Sequence, residues 1–108
     1  MSTADPPFTI RIEHQPGVCV IRLDGEFDLS NRDALNSALS QVGSGRVVLD
    51  IDSLAFIDSQ GLQELVRASI TRDIEMTPGI GQPAQLLKLT GLDRRLRVLR
   101  ASREGLTA

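Results

Sequence analysis

Asp58 and Ser59 stand side by side at the end of an apolar run, Leu54-Ala55-Phe56-Ile57. Gly61 follows almost at once, and leucines at helical spacing come next. An acid and a hydroxyl at the first turn of a helix have two uses. Either can cap unpaired backbone N–H groups. The hydroxyl can also take a phosphate, because those N–H groups and the helix dipole favour negative charge there. A phosphoserine adds about -1.5 to -2 charges. From the residues alone both readings stay open.

Other chemistries fit less well. His14, the sole histidine, falls at the end of the first predicted strand, and Ser59 lacks the G-x-S-x-G elbow that a hydrolase serine uses. One His and one Cys make a poor metal set. No P-loop is present, and no G-x-G-x-x-G follows a strand. Gly79-Ile80-Gly81-Gln82-Pro83 reads as a loop. The acids Glu26, Asp28, Asp50, Asp52 and Asp58 are numerous, but nothing in their spacing fixes a coordination geometry. The expectation is a protein that is not an enzyme and needs no cofactor or metal.

The 108 residues suit one domain, read as 8–108 after a flexible lead-in of residues 1–7. There is no Trp or Tyr, and the aromatics are Phe8, Phe27 and Phe56. Base-stacking platforms are therefore missing, and the net charge of -2 also argues against nucleic acid. Charge is uneven: Lys88, Arg94, Arg95, Arg97, Arg100 and Arg103 face only Asp93 and Glu104. That basic segment fits an acidic partner or a solvated surface. Cys19 reads as a small buried residue, which suits a reducing cytosol. The first residues lack a secretory pattern, and no apolar run approaches the ~18 residues of a membrane span. A cytoplasmic location is expected.

The elements that must position Asp58 and Ser59 follow from periodicity. Phe8, Ile10 and Ile12 alternate with polar residues, Pro16-Gly17 marks a turn, and Cys19, Ile21 and Leu23 share one face. These two strands predict an antiparallel hairpin. Ser30 and Asp33 resemble a capping box before a helical stripe of Leu35, Ala38, Leu39 and Val42. Residues 46–51 predict a central strand, apolar on both faces. Leu62, Leu65, Val66 and Ser69 or Ile70 predict a second helix from just after Ser59. A weak strand at Ile74–Met76, a helix from Pro83 to Gly91 and a strand near Arg97 complete the order, with Ser102 a candidate cap beyond. The expected architecture is α/β, a mixed four- to five-stranded sheet with helices mainly on one side.

The segment from Val47 to Ala68 resembles the signature of the STAS domain, specifically the bacterial anti-sigma-factor antagonists. Asp58, Ser59, Gly61 and Leu62 match its Asp-Ser-x-Gly-Leu. Gly25-Glu26-Phe27-Asp28 is similar to the family's Gly-Glu-Leu-Asp, and Leu89-Thr90-Gly91-Leu92 to its Thr/Ser-Gly-Leu. Gln60 departs from the usual Ser, Thr or Ala, and the segment after Ile74 lacks the usual Ser-Pro turn.

The resemblance implies a switch. The unmodified protein would bind an anti-sigma factor that is also a serine kinase, and so free a sigma factor. The kinase would phosphorylate Ser59, and a phosphatase would reset it. Glu26, Asp28, Asp58, Ser59, Gln60, Gln63, Glu64 and Arg67 would form the partner surface on a monomer or weak dimer. The rival is a STAS subunit that regulates a lipid-transporter ATPase by docking without phosphorylation.

Overall fold

The computed structural model describes residues 8–99; the lead-in and the Ser102 cap lie outside the described residues. Five strands form one sheet in the order β1-β2-β3-β4-β5. β1 (Phe8–Gln15) and β2 (Val18–Phe27) make the expected antiparallel hairpin. Its turn needs a positive φ, which Gly17 supplies at 79°. β3 (Val47–Ile57), β4 (Ile74–Met76) and β5 (Arg97–Val98) are added in parallel. Parallel neighbours need crossovers, and helices supply them. They are α1 (Arg32–Gln41), α2 (Ser59–Thr71), and α3 (Gln82–Thr90) followed by α4 (Leu92–Arg95). The short α4 was not anticipated, because four residues leave no periodic stripe to read.

The two faces of the sheet differ. Ile21, Leu23, Val47, Leu49, Ile51, Ile74 and Met76 point to one face and are at most 1% exposed. Leu35 and Ala38 of α1, Leu62, Leu65 and Ala68 of α2, and Leu87 of α3 close on them in a single core. The opposite face carries ion pairs. Arg22 bridges Glu13 at 2.7 Å and Asp50 at 2.9 Å, and Arg46 meets Glu75 at 2.7 Å. The hydrogen bond to Asp50 is the main cause of an Arg22 pKa above the ordinary arginine value. Cys19 is only half-buried, because it pairs with His14 beside the hairpin turn, its Sγ 3.2 Å from the imidazole Nδ1. Arg72, just past α2, donates to the carbonyl of Leu39 in the last turn of α1 at 2.9 Å and to that of Gly43 just beyond the helix, so it ties off that end.

β3 is longer than its sequence suggested, running on through Ile57. Its register against β2 shifts twice, between Arg22 and Asp24 and between Gly25 and Glu26. Each shift leaves one extra residue on β3, as a β-bulge does. The buried residues of β3 record this: Val47, Leu49 and Ile51 are two apart, whereas Ile51, Leu54 and Ile57 are three apart.

Candidate functional site at the strand ends around Ser59

β2 and β3 stop together, with Phe27 opposite Ile57. Each strand then turns into a helix through an aspartate. Asp28 caps a 3-10 turn, Leu29–Asn31, that leads into α1. Its carboxylate accepts from the Ser30 N–H at 3.0 Å, and its own N–H donates to Asn31 Oδ1 at 3.0 Å. The capping box expected at Ser30 and Asp33 therefore sits two residues earlier, at Asp28 and Asn31. The Ser30 hydroxyl is turned back onto Asp28. Asp58 caps α2, its Oδ1 accepting from the Gly61 N–H at 2.7 Å.

Ser59 is thus the first residue of α2, exposed, and not its cap. Its hydroxyl has no hydrogen-bond partner among the described residues. A carboxylate is the stronger acceptor for a backbone N–H, which leaves the serine free. Asp58→Ala should lower stability by about 1 kcal/mol. Ser59→Ala should change it by less than about 0.5 kcal/mol, as for an uninvolved surface group. Urea denaturation of both variants checks this; equal losses would return the capping role to Ser59.

The first turn of α2 is seated directly on the end of β2. A Cβ on Gly61 would lie 2.4 Å from the carbonyl oxygen of Phe27 and 3.1 Å from Cγ1 of Ile57. The Asp58 N–H reaches the same carbonyl at 3.4 Å. Glycine is thus required here by close approach, not by φ.

The other side of β3 is held differently. β4 pairs only with Val47, Val48 and Leu49. Beyond it, Thr77 Oγ1 accepts from the Ile51 N–H at 2.8 Å. Gln82, the first residue of α3, then grips Ile57: its Oε1 accepts from the Ile57 N–H and its Nε2 donates to the Ile57 carbonyl, both at 2.9 Å. Gln82 was not singled out from the sequence. The available signal was a three-residue β4 beside a longer β3.

A family model described as the Mlab, STAS domain matches residues 10–100. The chain belongs to the STAS domain family. Its STAS domain superposes on the crystal structure of an anti-sigma factor antagonist from Mycobacterium paratuberculosis with a TM-score of 0.78. The two chains are 27% identical, and the match covers 97% of each. SpoIIAA, an anti-sigma factor antagonist solved in its unphosphorylated form, gives a TM-score of 0.68 at 18% identity over 90% of this chain and 91% of its own. That second likeness bears on the fold alone. No match is found among curated protein sequences.

In this STAS domain Glu26, Asp28, Asp58, Ser59 and Gln60 gather at one end of the sheet, where the parallel strands finish. Gln63 and Arg67 are exposed further along α2. At 1.5 Å per residue, Arg67 stands roughly 12 Å up the helix from Ser59. Glu64 is a correction. It was expected on the exposed face and is only 5% exposed. Seating Gly61 on Phe27 rolls α2 so that Gly61, Glu64, Leu65 and Ala68 face inward. Ile70, offered as part of the apolar stripe, is correspondingly 77% exposed. Arg67 lies over the Glu64 carboxylate at 3.5 Å, so Glu64 supports Arg67 and presents no charge to a partner.

Two apolar side chains at the same end were not anticipated. Phe56, opposite Glu26, is 44% exposed, and Leu29 is 41% exposed. A cleft of about 800 Å³ lies elsewhere, between β4, α3, α4 and β5, with Lys88, Arg94 and Arg97 on its walls. No helix among the described residues is long and apolar enough to cross a membrane.

Proposed function

We propose that this STAS domain is an anti-sigma-factor antagonist switched by phosphorylation of Ser59. One observation carries the reading: Ser59 is exposed at the start of α2 while Asp58 does the capping. The hydroxyl is therefore available without loss to the fold. The likeness to the Mycobacterium antagonist supports the same partner class.

The unmodified protein sequesters an anti-sigma factor that is also a serine kinase, in the cytoplasm, and a sigma factor is released. Ser59 Oγ then attacks the γ-phosphorus of ATP held by the partner. A new O–P bond forms as the bridging P–O bond to the β-phosphate breaks. ADP leaves with the electron pair, and the hydroxyl proton passes to a base of the partner. The partner supplies nucleotide, metal and base, so the substrate needs no catalytic set of its own. A phosphatase resets the serine by hydrolysis. Glu26, Asp28, Asp58, Gln60, Gln63 and Arg67 surround the acceptor and form the docking surface.

Intact mass measurement of protein purified from its own host tests the reading, with a phosphate on Ser59 as the expected result. An unmodified chain that co-purifies with a transporter ATPase subunit would overturn it. That outcome belongs to a second reading, a STAS subunit that regulates a transporter by docking alone. The Mlab description of the matching family model, Gln60, and the altered segment after β4 favour it.

A further inference from the structure

We infer that Gln82 is the positioning residue of the phosphoacceptor: its side-chain amide, hydrogen-bonded to both backbone groups of Ile57, sets where Asp58 and Ser59 leave the sheet. The inference rests on the reading of Ser59 as acceptor. Its structural part stands on geometry alone.

β3 outruns its neighbour. From Asp50 onward no strand among the described residues lies on its β4 side. A buried backbone N–H or C=O needs a partner, and Ile57 is 2% exposed. A primary amide carries the same donor and acceptor as a peptide unit. Gln82 uses one of each, so it acts as a strand one residue long. On the opposite side, the Phe27 carbonyl contacts the Asp58 N–H and Gly61. The last residues before Ser59 are therefore gripped from both sides.

The grip is delivered by a loop with its own anchors. Gly79 and Gly81 both take positive φ, 79° and 69°. The Gly79 N–H donates to Asp52 Oδ1 at 2.9 Å. Gln82 then opens α3, so any displacement of α3 reaches Ser59 through this amide. Phosphoryl transfer depends on an aligned acceptor, and a misplacement of ~1 Å can lower a rate by about 100-fold.

The test compares the wild-type chain with Gln82→Ala, Gln82→Glu and Ser59→Ala. The first readout is the NMR shifts of the Asp58, Ser59, Gln60 and Gly61 amides, with hydrogen exchange at the Gly61 N–H. Gln82→Ala should move these shifts and speed that exchange by roughly tenfold or more, as local opening does. A neutral carboxyl has one donor and one acceptor and can replace the amide, whereas an ionised one has no donor. The Gln82→Glu shifts should therefore be wild-type-like in acid and move away from wild type once the introduced carboxyl ionises and its bond to the Ile57 carbonyl is lost. Wild type at the same pH values subtracts the titration of Asp52 and Asp58. A residue that merely fills space produces no such step. Unmoved amides from Asp58 to Gly61 in Gln82→Ala would overturn the inference. Should that variant fail to fold, the pH step in Gln82→Glu decides.

The second readout is labelling from γ-labelled ATP in a lysate of the host, with the concentration of the added protein varied. Gln82→Ala should be labelled roughly 10- to 100-fold more slowly at saturation, with an unchanged half-saturating concentration. Full-rate labelling of Gln82→Ala on Ser59 would overturn the positioning role. Labelling of Ser59→Ala at the wild-type rate would instead reject Ser59 as acceptor, and the amide shifts would then decide on Gln82 alone.

Discussion

Gly61→Ala is expected to destabilise the protein by about 2–3 kcal/mol, the upper part of the range for forcing a carbon into a packed site. For a domain of this size that is a melting temperature lower by roughly 10–20 °C. The added Cβ would stand 2.4 Å from the Phe27 oxygen and 3.0 Å from its carbonyl carbon, both backbone atoms. Neither can rotate away as a side chain would. Retreat is blocked on another side by Ile57 Cγ1 at 3.1 Å. The helix start must lift off the strand end, and the Asp58 cap moves with it. Gly45→Ala is the matched control, since nothing lies within 4 Å of its added carbon. Thermal melts followed by circular dichroism check the pair. Equal melting temperatures for the two variants would show that α2 is not seated on Phe27.

Phosphorylation of Ser59 should weaken binding to the anti-sigma kinase by roughly 10- to 1,000-fold, at 1.4 kcal/mol per tenfold. Stability should change by no more than about 1 kcal/mol, because a helix N-terminus tolerates negative charge. The difference comes from where the charge must go. In the free protein the phosphate faces water and the unpaired N–H groups of α2. In the proposed complex it would join Glu26, Asp28 and Asp58 in a patch that docking would partly desolvate, and an unpaired charge there would cost a few kcal/mol. Calorimetry with the kinase, on unmodified and enzymatically phosphorylated protein, measures the affinity. Gln63→Ala and Arg67→Ala should also weaken binding. Glu64→Gln should act on stability first, since that side chain is inside. Equal affinities of the two forms would contradict the switch. Loss of binding on changing Arg94 and Arg95 would move the interface to the basic segment and favour the transporter reading.

Much of the fold was legible because its elements are strongly periodic. The alternation of Phe8, Ile10 and Ile12, the Pro16-Gly17 turn and the stripe of Leu35 and Ala38 were enough for the hairpin and α1. Gly91 marked the end of α3, where it takes a φ of 77°. The far half of β3 was not legible. Ile51, Leu54 and Ile57 are spaced by three, which is not the period of a strand. The caps were ambiguous because Asp and Ser rank alike at that position, and only coordinates separate neighbours. The position of Ser59 at a helix start was legible; the burial of Glu64 was not. A charged residue on a helix reads as solvent-facing until a tertiary contact, here Gly61 against Phe27, sets the roll of the helix.

The paired bulges of β3 constrain how this protein can change in length. A regular strand alternates sides with every residue, but a bulge sets two residues against one and so absorbs an extra residue without inverting those that follow. Leu54 after the first extra residue and Ile57 after the second are both within the core, paired with Gly25 and Phe27. Removing the extra residue at a bulge would leave a regular ladder with Ile57 still facing the core, whereas removing one from the unbulged stretch 47–50 would turn the residues after it over. Ser59, two residues beyond Ile57, would keep its exit from the sheet in the first case and lose it in the second. Relatives that keep an acceptor serine in this place should therefore differ in length at the two bulges, by single residues, and not in the regular stretch before them.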